Sequence, residues 1–285
     1  VPGSLALTNI AGNAMFGSIS GSGIAAATAI GGVMLPLEKE QKYDEGFAAA
    51  VNIATAPVGQ LIPPTTAFIV FSAAGGGASV AALFMGGWIP GLLWAACCMV
   101  VAFFYARKQG YVIKRDKLTA KIVGKTIWDA IPSLFLVVII IGGILSGKFT
   151  PTEASGVAVA YAFILSVFIY RTIKLSEIPK LLVDAAVMTT IVMLIIGASS
   201  VLSFVMSFTG LPAAISKLVL GISSNKYVIL LILNIFLLIV GTFMDMAPAL
   251  LIFTPIFLPI VQSFGMSPIH FGVMMVMNLS VGTIT

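Results

Sequence analysis

The stretch from Val80 to Tyr105 contains no charged residue, and this feature constrains the fold of the chain most. A helix that crosses a lipid bilayer needs about 20 apolar residues, and this stretch is longer. The whole chain has the same character, because 59% of its 285 residues are hydrophobic and 9% are charged. Ordinary globular domains carry roughly 25% charged residues. The sequence therefore predicts an all-α polytopic membrane protein, and it argues against a nucleic-acid-binding role.

The segment Phe16–Gly23, FGSISGSG, interrupts an apolar stretch with glycines and serines. Polar non-helical backbone at membrane depth is tolerated only where protein or a water-filled cavity surrounds it. We therefore predict that residues 4–37 form a re-entrant helical hairpin with this segment at its tip. Ser18, Ser20 and Ser22 are then available to bind a ligand. The alternative is that these small residues let two helices pack closely.

A second interruption occurs at residues 56–66, APVGQLIPPTT, within otherwise apolar sequence. Inside a continuous helix, Pro57, Pro63 and Pro64 would each remove a hydrogen bond and clash with the preceding turn. The sequence therefore predicts a discontinuous helix with an unwound centre. The C-terminal part repeats both features, with GTFMDMAP at residues 241–248 between two apolar arms and a later apolar segment that ends in NLSVGTIT.

The two ends of the chain thus form an internal repeat. Gly17 corresponds to Gly241 at an offset of 224 residues, and Gly59 corresponds to Gly282 at an offset of 223 residues. Interrupted helices at corresponding positions of two repeats are the best sequence indication of the binding site of a secondary transporter. We therefore predict that each repeat consists of a hairpin, an extramembrane loop and a broken helix.

The repeat divides the chain into three predicted parts. Residues 1–79 and 226–285 are expected to form the two halves of a transport domain, the second of them truncated. Residues 80–225 are expected to supply connecting spans, an amphipathic cytoplasmic helix and scaffold-type helices. The repeat unit would extend before Val1 and beyond Thr285, so we expect the sequence to be an internal piece of a longer protein.

Basic residues cluster at residues 107–125, where a helix in the membrane surface is expected. Placing this segment in the cytoplasm puts the charged loop at residues 37–46 there too. Of the 15 Lys and Arg residues, only Lys148, Lys217 and Lys226 then fall on the other side. This distribution follows the positive-inside rule. The two repeats are then inverted, and their hairpin tips meet near the middle of the membrane.

The interrupted helices offer groups for two kinds of ligand. Helix N-termini carry partial positive charge and unpaired N–H groups, which suit an anion. Hydroxyl and carbonyl oxygens suit a hard cation such as Na⁺. Asp245 is the one acid expected deep in the membrane, where a carboxylate is a functional candidate by default; the alternative is that it caps a helix. Asn9, Asn13, Asn52 and Asn234 are weaker candidates that can instead tie helices together.

Five segments resemble a known family: FGSISGSGIAAATAIG, APVGQLIPPTT, GKFTPTEASG, VGTFMDMAPALLIFTPIFLP and HFGVMMVMNLSVGTIT. They are similar to the DctM-type large membrane subunit of tripartite ATP-independent periplasmic (TRAP) transporters, in the same order through nearly the whole chain. The resemblance implies a multi-pass transporter of the bacterial inner membrane that works by an elevator mechanism and is not an enzyme. It also implies two partners, a small four-helix membrane subunit and a periplasmic substrate-binding protein.

The resemblance further implies Na⁺-coupled uptake of an organic acid. The tip and break segments are most similar to the sialic-acid branch, and the alternative substrates are C4-dicarboxylates and keto acids. An ion channel is a less favoured interpretation, since it would conduct without a partner. An intramembrane aspartyl protease would need two facing acids. A serine enzyme would need a base beside its nucleophile, and His270, the only histidine, is poorly placed for that role.

The matched motifs supply the expected site residues. Residues expected to contact the substrate are Ser18, Ser20, Ser22, Gln60, Thr65, Thr66, Asn278 and Ser280. Residues expected to hold Na⁺, the coupling ion, are Ser18, Ser20, Thr55, Gly59, Thr242, Asp245, Gly282 and Thr285. Thr283 offers a further hydroxyl oxygen, and no organic cofactor is expected. The sequence assigns these roles to segments and does not assign individual oxygens to individual ions.

Overall fold

The computed structural model describes residues 2–75, 77–111, 120–210, 214, 221 and 225–284. No strand occurs among these residues, which are mostly helical, and the all-α prediction is confirmed. The helices are α1 (Ser4–Ser20), α2 (Gly23–Glu40), α3 (Glu45–Thr55), α4 (Thr66–Ala74), α5 (Val80–Gln109), α6 (Ala120–Leu145), α7 (Pro151–Ile164), α8 (Ile178–Thr209), α9 (Lys226–Phe243), α10 (Met246–Ser263) and α11 (Pro268–Gly282). Short helices of other types occur at Ala56–Gln60, Leu165–Ile169 and Leu175–Glu177.

Helices α1 and α2 pack against each other and are joined by Gly21 and Ser22. Gly21 has φ 64°, the left-handed conformation in which glycine commonly ends a helix. Ser22 then caps α2, because its hydroxyl oxygen accepts a hydrogen bond from the Ala25 N–H at 3.3 Å. The predicted turn is therefore present, but it is narrower than Phe16–Gly23, since α1 continues through Ser20.

The predicted break in the next helix is also present. Helix α3 ends at Thr55, a 3-10 turn covers Ala56–Gln60, and α4 begins at Thr66. Thr65 caps α4 by accepting a hydrogen bond from the Ala67 N–H at 3.2 Å. The prolines explain the interruption, because a proline cannot donate the backbone hydrogen bond that a continuous helix needs.

The C-terminal helices follow the same plan as α1, α2 and α3. Helices α9 and α10 are joined by Met244 and Asp245, and α11 follows after a short connection. The two arms have 18 residues each, against 17 and 18 residues in α1 and α2. Gly282, which corresponds to Gly59 in the repeat, is the last residue of α11. The end of α11 therefore takes the same place in its repeat as the turn after α3 takes in the first.

Close contacts between glycines hold each hairpin against the end of its following helix. A Cβ atom added to Gly17 would lie 2.5 Å from the Cα atom of Gly59. One added to Gly282 would lie 2.7 Å from the Cα atom of Gly241. Only residues without a side chain allow two backbones to approach so closely. These four glycines are the anchors of the sequence repeat, so the repeat is present in the fold.

Contacts divide the chain into two compact units, one of residues 1–113 and 199–285 and the other of residues 114–198. The first unit contains both hairpins, the break after α3, helix α11 and helix α5, which packs against α1 and α11. The sequence places α5 with the connecting spans, whereas its contacts are with the two repeats. The division into a transport domain and connecting helices stays a prediction.

The second unit is built around the packing of α6 against α7. The Tyr161 hydroxyl donates a hydrogen bond to the Pro132 carbonyl at 2.9 Å, and the Tyr161 ring meets Phe135 edge-on. Helix α7 begins with a capping box, in which the Glu153 N–H donates to the Thr150 hydroxyl oxygen and the Thr150 N–H donates to the Glu153 carboxylate. Glu153 is thus a structural residue.

Within the described part of the chain, five helical segments are long and apolar enough to cross a membrane: Val80–Gln109, Pro151–Ile169, Leu175–Ala198, Lys226–Phe243 and Met246–Ser263. The last two are the arms of the second hairpin. Their length does not distinguish a re-entrant hairpin from two spanning helices, so re-entrance stays a prediction. Of the surface helix expected at residues 107–125, residues 112–119 lie outside the described residues.

Candidate functional site

Both hairpin tips and the first helix break border two cavities in the first unit. The larger cavity has a volume of about 320 Å³ and is lined by Gly23 of the first hairpin, by Pro57 and Gln60 of the break, and by Thr242 and Asp245 of the second tip. The smaller cavity, of about 110 Å³, shares Gln60 and Asp245 with it. Small-molecule sites typically occupy 300–1,000 Å³, so the larger cavity has room for a small ligand.

Three helices begin at the smaller cavity. Ser22 precedes α2, Thr66 begins α4 and Met246 begins α10, and all three residues line it. The first N–H groups of a helix have no partner inside the helix and carry partial positive charge. No Lys, Arg or His occurs among the described residues that line either cavity. An anion here would therefore be held by backbone N–H groups instead of a basic side chain.

Asp245 brings negative charge to the same place. It occupies the N-cap position of α10, with φ −62° and ψ 153°, yet its side chain makes no capping hydrogen bond. The alternative expectation is that Asp245 caps a helix. Asp245 does occupy the N-cap position, but its carboxylate does not form the capping hydrogen bond. The nearby Thr242 hydroxyl donates to the Ile239 carbonyl at 2.7 Å, which leaves its oxygen lone pairs available. Carboxylate and hydroxyl oxygens together are suitable ligands for a hard cation.

Gln60 connects the two repeats at the cavities. The Ser280 hydroxyl donates a hydrogen bond to the Gln60 Oε1 atom at 3.0 Å, and both side chains are buried. This bond joins the first break to α11. Ser280, expected as a substrate contact, does not line either cavity, so it is placed to hold Gln60 in position.

The residues expected to contact the substrate divide into two groups. Three of them line a cavity, namely Ser22, Gln60 and Thr66. Beside Ser280, four others do not, namely Ser18, Ser20, Thr65 and Asn278. The Ser18 hydroxyl is turned back to the Met15 carbonyl at 2.7 Å, and the Asn278 amide donates to the Asn234 Oδ1 atom at 2.5 Å. The Ser18 bond lies within α1, and the Asn278 bond joins α11 to α9. The ligand roles of these residues stay predictions.

Three other residues expected to hold Na⁺, Thr55, Gly59 and Gly282, do not line the larger cavity. Gly59 and Gly282 are packed in the glycine contacts. Thr55 is fully buried, and its hydroxyl oxygen accepts a hydrogen bond from the Asn13 amide at 3.0 Å. Thr285 is outside the described residues. Thr242 and Asp245 are therefore the two expected ion ligands that line the larger cavity.

Other cavity-lining residues are not identifiable from the sequence. The wall of the larger cavity includes the apolar side chains of Ile24, Ile53 and Phe243, whereas Thr283, which also lines it, is among the hydroxyl-bearing residues expected from the sequence. Apolar side chains occur throughout this chain, so nothing in the sequence distinguishes those that border a cavity. A further cavity of about 480 Å³, bordered by α3 and α5, is almost entirely apolar and offers no comparable set of polar groups.

Known proteins similar to this chain include the following three relatives. The uncharacterized protein YgiK of Salmonella typhimurium is 48% identical over all of this chain and 65% of its own length. The isethionate TRAP transporter permease protein DctMQ of Oleidesulfovibrio alaskensis is 36% identical over all of this chain and 45% of its own length. The sialic acid TRAP transporter large permease protein SiaM of Vibrio cholerae is 35% identical over all of this chain and 66% of its own length.

The chain therefore spans 45–66% of the length of these relatives. Residues 1–285 also match the family described as the tripartite ATP-independent periplasmic transporter, DctM component. The apolar helices and this match together make the chain a multi-pass protein of the bacterial inner membrane. With the family motifs at the tips and breaks and the match over its whole length, the chain belongs to the DctM family of TRAP transporter components.

Proposed function

We propose that the chain is part of the large permease subunit of a TRAP transporter, which takes up an organic acid together with Na⁺. One observation carries the proposal: two equivalent helix tips and the Gln60 side chain meet at cavities that combine three helix N-termini with a single carboxylate. Groups for an anion and groups for a cation thus occur at one place. The match of residues 1–285 to the DctM family supports the same function.

The acid group of the substrate is proposed to bind at the helix N-termini. Each N-terminus carries roughly half a positive charge, concentrated in the first turn. The starts of α2, α4 and α10 border the smaller cavity, beside the Thr66 hydroxyl and the Gln60 amide. These groups can donate hydrogen bonds to a carboxylate or sulfonate. The remainder of the substrate would then occupy the larger cavity, against its apolar wall.

Na⁺ is proposed to bind beside Asp245 and Thr242, with Thr283 as a further source of oxygen. All three residues line the larger cavity. A cation there neutralises the Asp245 carboxylate, which would otherwise repel the acid group of the substrate. Each ligand therefore favours binding of the other, and such mutual stabilisation is reciprocal. This reciprocity supplies the physical basis for coupling uptake to a Na⁺ gradient.

Sialic acid is the first substrate to test, with C4-dicarboxylates and keto acids as the alternatives. The relatives named for isethionate and for sialic acid are 36% and 35% identical to this chain, so overall similarity does not favour one acid. Isethionate is a sulfonate, and an N–H lined site suits sulfonates and carboxylates alike. A small four-helix membrane subunit and a periplasmic binding protein are the proposed partners, and no enzymatic step is proposed.

Uptake of labelled sialic acid into proteoliposomes tests the proposal. The full-length permease and its small subunit are reconstituted and assayed with the binding protein, with and without an inward Na⁺ gradient. Uptake that needs both the gradient and the binding protein is expected. If sialic acid is not transported, uptake of labelled isethionate, C4-dicarboxylates or keto acids under the same conditions identifies the substrate. Equal uptake with and without the Na⁺ gradient would contradict the coupling.

A further inference from the structure

Glu38 is a buried carboxylate that the proposed transport mechanism does not use. It lies in the last turn of α2, within the charged segment at residues 37–46 that the sequence places outside the membrane. Its side chain is 0% exposed, and neither carboxylate oxygen has a hydrogen-bond partner. The neighbouring Glu40 is exposed, so burial distinguishes Glu38 from the other acid of the same turn.

The groups around Glu38 are polar but uncharged. Asn9 of α1 faces it, and the Asn9 amide nitrogen is buried without a hydrogen-bond acceptor. The Tyr43 ring is buried beside it, and its hydroxyl also has no hydrogen-bond partner. Tyr111 stacks on Tyr43 at a ring-centroid distance of 4.4 Å. Tyr43 is therefore a titratable group beside the carboxylate. The other titratable residues of the same segment, Lys39, Glu40, Lys42, Asp44 and Glu45, are exposed.

Charged groups of the surrounding helices are turned elsewhere. Helix α1 and the turn at residues 56–60, which pack against α2, contain no ionisable side chain. Helix α3, which also packs against α2, has only Glu45, and this exposed residue pairs with Lys39 at 2.8 Å. Arg107 and Lys108, in the last turn of α5, are exposed. No described cation is therefore paired with Glu38.

An ionised carboxylate in this position is unfavourable. Burial of an unpaired charge costs far more than burial of a neutral acid, so such groups take up a proton instead. Burial raises the pKa of Glu38 from its ordinary 4.5 to about 7, and the Asn9 amide partly opposes this rise. A neutral carboxylic acid can also donate a hydrogen bond, which an ionised carboxylate cannot.

Glu38 stands at one end of a buried polar path. The Asn13 amide donates hydrogen bonds to the Oδ1 atoms of Asn9 and Asn52, at 2.8 and 3.0 Å, and to the Thr55 hydroxyl at 3.0 Å. The path therefore runs from the base of the first hairpin to the start of the helix break. A change at Glu38 bears directly on the packing of α1 against α2 and α3.

We propose that Glu38 is a proton-binding site at the base of the first hairpin. The protonated acid fits the closed packing of α2 against Asn9 and Tyr43, and loss of the proton favours an open base that admits water to the carboxylate. The ligand is the proton itself. The inference concerns the packing of the hairpin and does not rest on the proposed transport function.

Thermal unfolding of the purified full-length permease in detergent, between pH 5 and pH 8, tests this site. Between about pH 4.5 and pH 7, Glu38 keeps its proton in the folded protein but has lost it in the unfolded protein. The stability that the bound proton contributes is therefore lost as the pH rises through this range. The wild type is expected to lose roughly 5 °C in Tm across this range. Glu38→Gln, which keeps a neutral polar side chain of the same shape, is expected to lose much less. Equal losses in the two proteins would overturn the proposal.

Glu40→Gln is the matched control, because it makes the same change at an exposed position of the same helix turn. It is expected to retain the full pH dependence of the wild type. If Glu38→Gln does not fold, Asn9→Leu provides the test, since loss of the opposing amide moves the midpoint of the transition to higher pH. An unchanged midpoint would overturn the proposal. Added Na⁺ at pH 8 is a further test. If Na⁺ raises the Tm of the wild type and of Glu40→Gln but not that of Glu38→Gln, the site binds a metal cation instead of a proton.

Discussion

The two hairpin tips share one backbone plan and differ in chemistry. At the first tip, the neutral Ser22 caps α2 with its own hydroxyl oxygen. At the second tip, Asp245 stands at the same position before α10, and its side chain leaves the helix uncapped. The two repeats therefore share the backbone scaffold and differ at this position, which holds a capping serine in one and a carboxylate without a capping bond in the other. The proposed ion site lies at the tip whose helix has no side-chain cap.

Asp245→Ser gives the second tip the chemistry of the first and should have the largest effect. A serine can cap α10, which stabilises a helix by about 1 kcal/mol, so membrane insertion should be unaffected. Na⁺-driven uptake should fall about tenfold or more, because loss of a charged ligand oxygen costs at least about 1.4 kcal/mol. Initial uptake rates in proteoliposomes, normalised to inserted protein, measure the effect, and Asp245→Ala should behave in the same way.

Asp44→Ser is the control for this change. Asp44 is an exposed N-cap acid whose carboxylate accepts a hydrogen bond from the Phe47 N–H at 2.8 Å, and it lies away from both cavities. The same substitution there should leave uptake at the wild-type level. Wild-type uptake by Asp245→Ser would remove Asp245 from the ion site and would make the two tips functionally alike.

Gly17→Ala and Gly282→Ala test whether the glycine contacts of the two repeats are equivalent. A Cβ atom at either position would lie 2.5 or 2.7 Å from a facing Cα atom, so both changes should destabilise the protein by about 1–3 kcal/mol. Thermal unfolding in detergent measures the loss. Gly32→Ala is the control, because its Cβ atom would meet nothing within 4 Å and alanine favours the helix by up to about 1 kcal/mol. Clearly different losses of stability in Gly17→Ala and Gly282→Ala would show that the two glycine contacts are not equivalent.

Ser280→Ala should have a smaller effect than the substitutions at Asp245 and at the contact glycines. It removes the donor to the buried Gln60 Oε1 atom, which costs about 1 kcal/mol and loosens the Gln60 amide. The repeat offset aligns Ser280 with Pro57, so this bond has no counterpart in the other half. We expect about fivefold weaker substrate binding, which calorimetry can measure. Ser263→Ala, which removes a hydroxyl bonded within its own helix, should bind substrate normally. Unchanged affinity in Ser280→Ala would exclude a positioning role.

Local sequence signals located the tips and the break because glycine and proline act on the backbone near them. The capping box at Thr150 is equally local, since it needs only two residues of suitable type at the right spacing. The extent of the first tip was overestimated for a related reason. Glycine and serine permit a turn without requiring one, and α1 retains its helical hydrogen bonds through Ser20.

Burial could not be predicted in the same way. The segment LEKEQKYDEG has the composition of a solvated loop, yet α2 continues into it and turns Glu38 toward α1. Likewise, the sequence treats Gln60 and Ser280 as parallel substrate contacts, whereas the fold places one behind the other. Which side of a helix faces a neighbour is decided by packing between distant segments, and those contacts leave little trace in local composition.

The glycine contacts and the cavity walls differ in how readily their residues can be substituted. Backbone meets backbone at Gly17 and at Gly282, so no larger residue fits there unless a helix moves. Ile24, Ile53 and Phe243 border the larger cavity, and its open space leaves room for substitution. If the proposed function holds, selection for a substrate of another shape can therefore act on the walls of the cavity while the glycine contacts are retained.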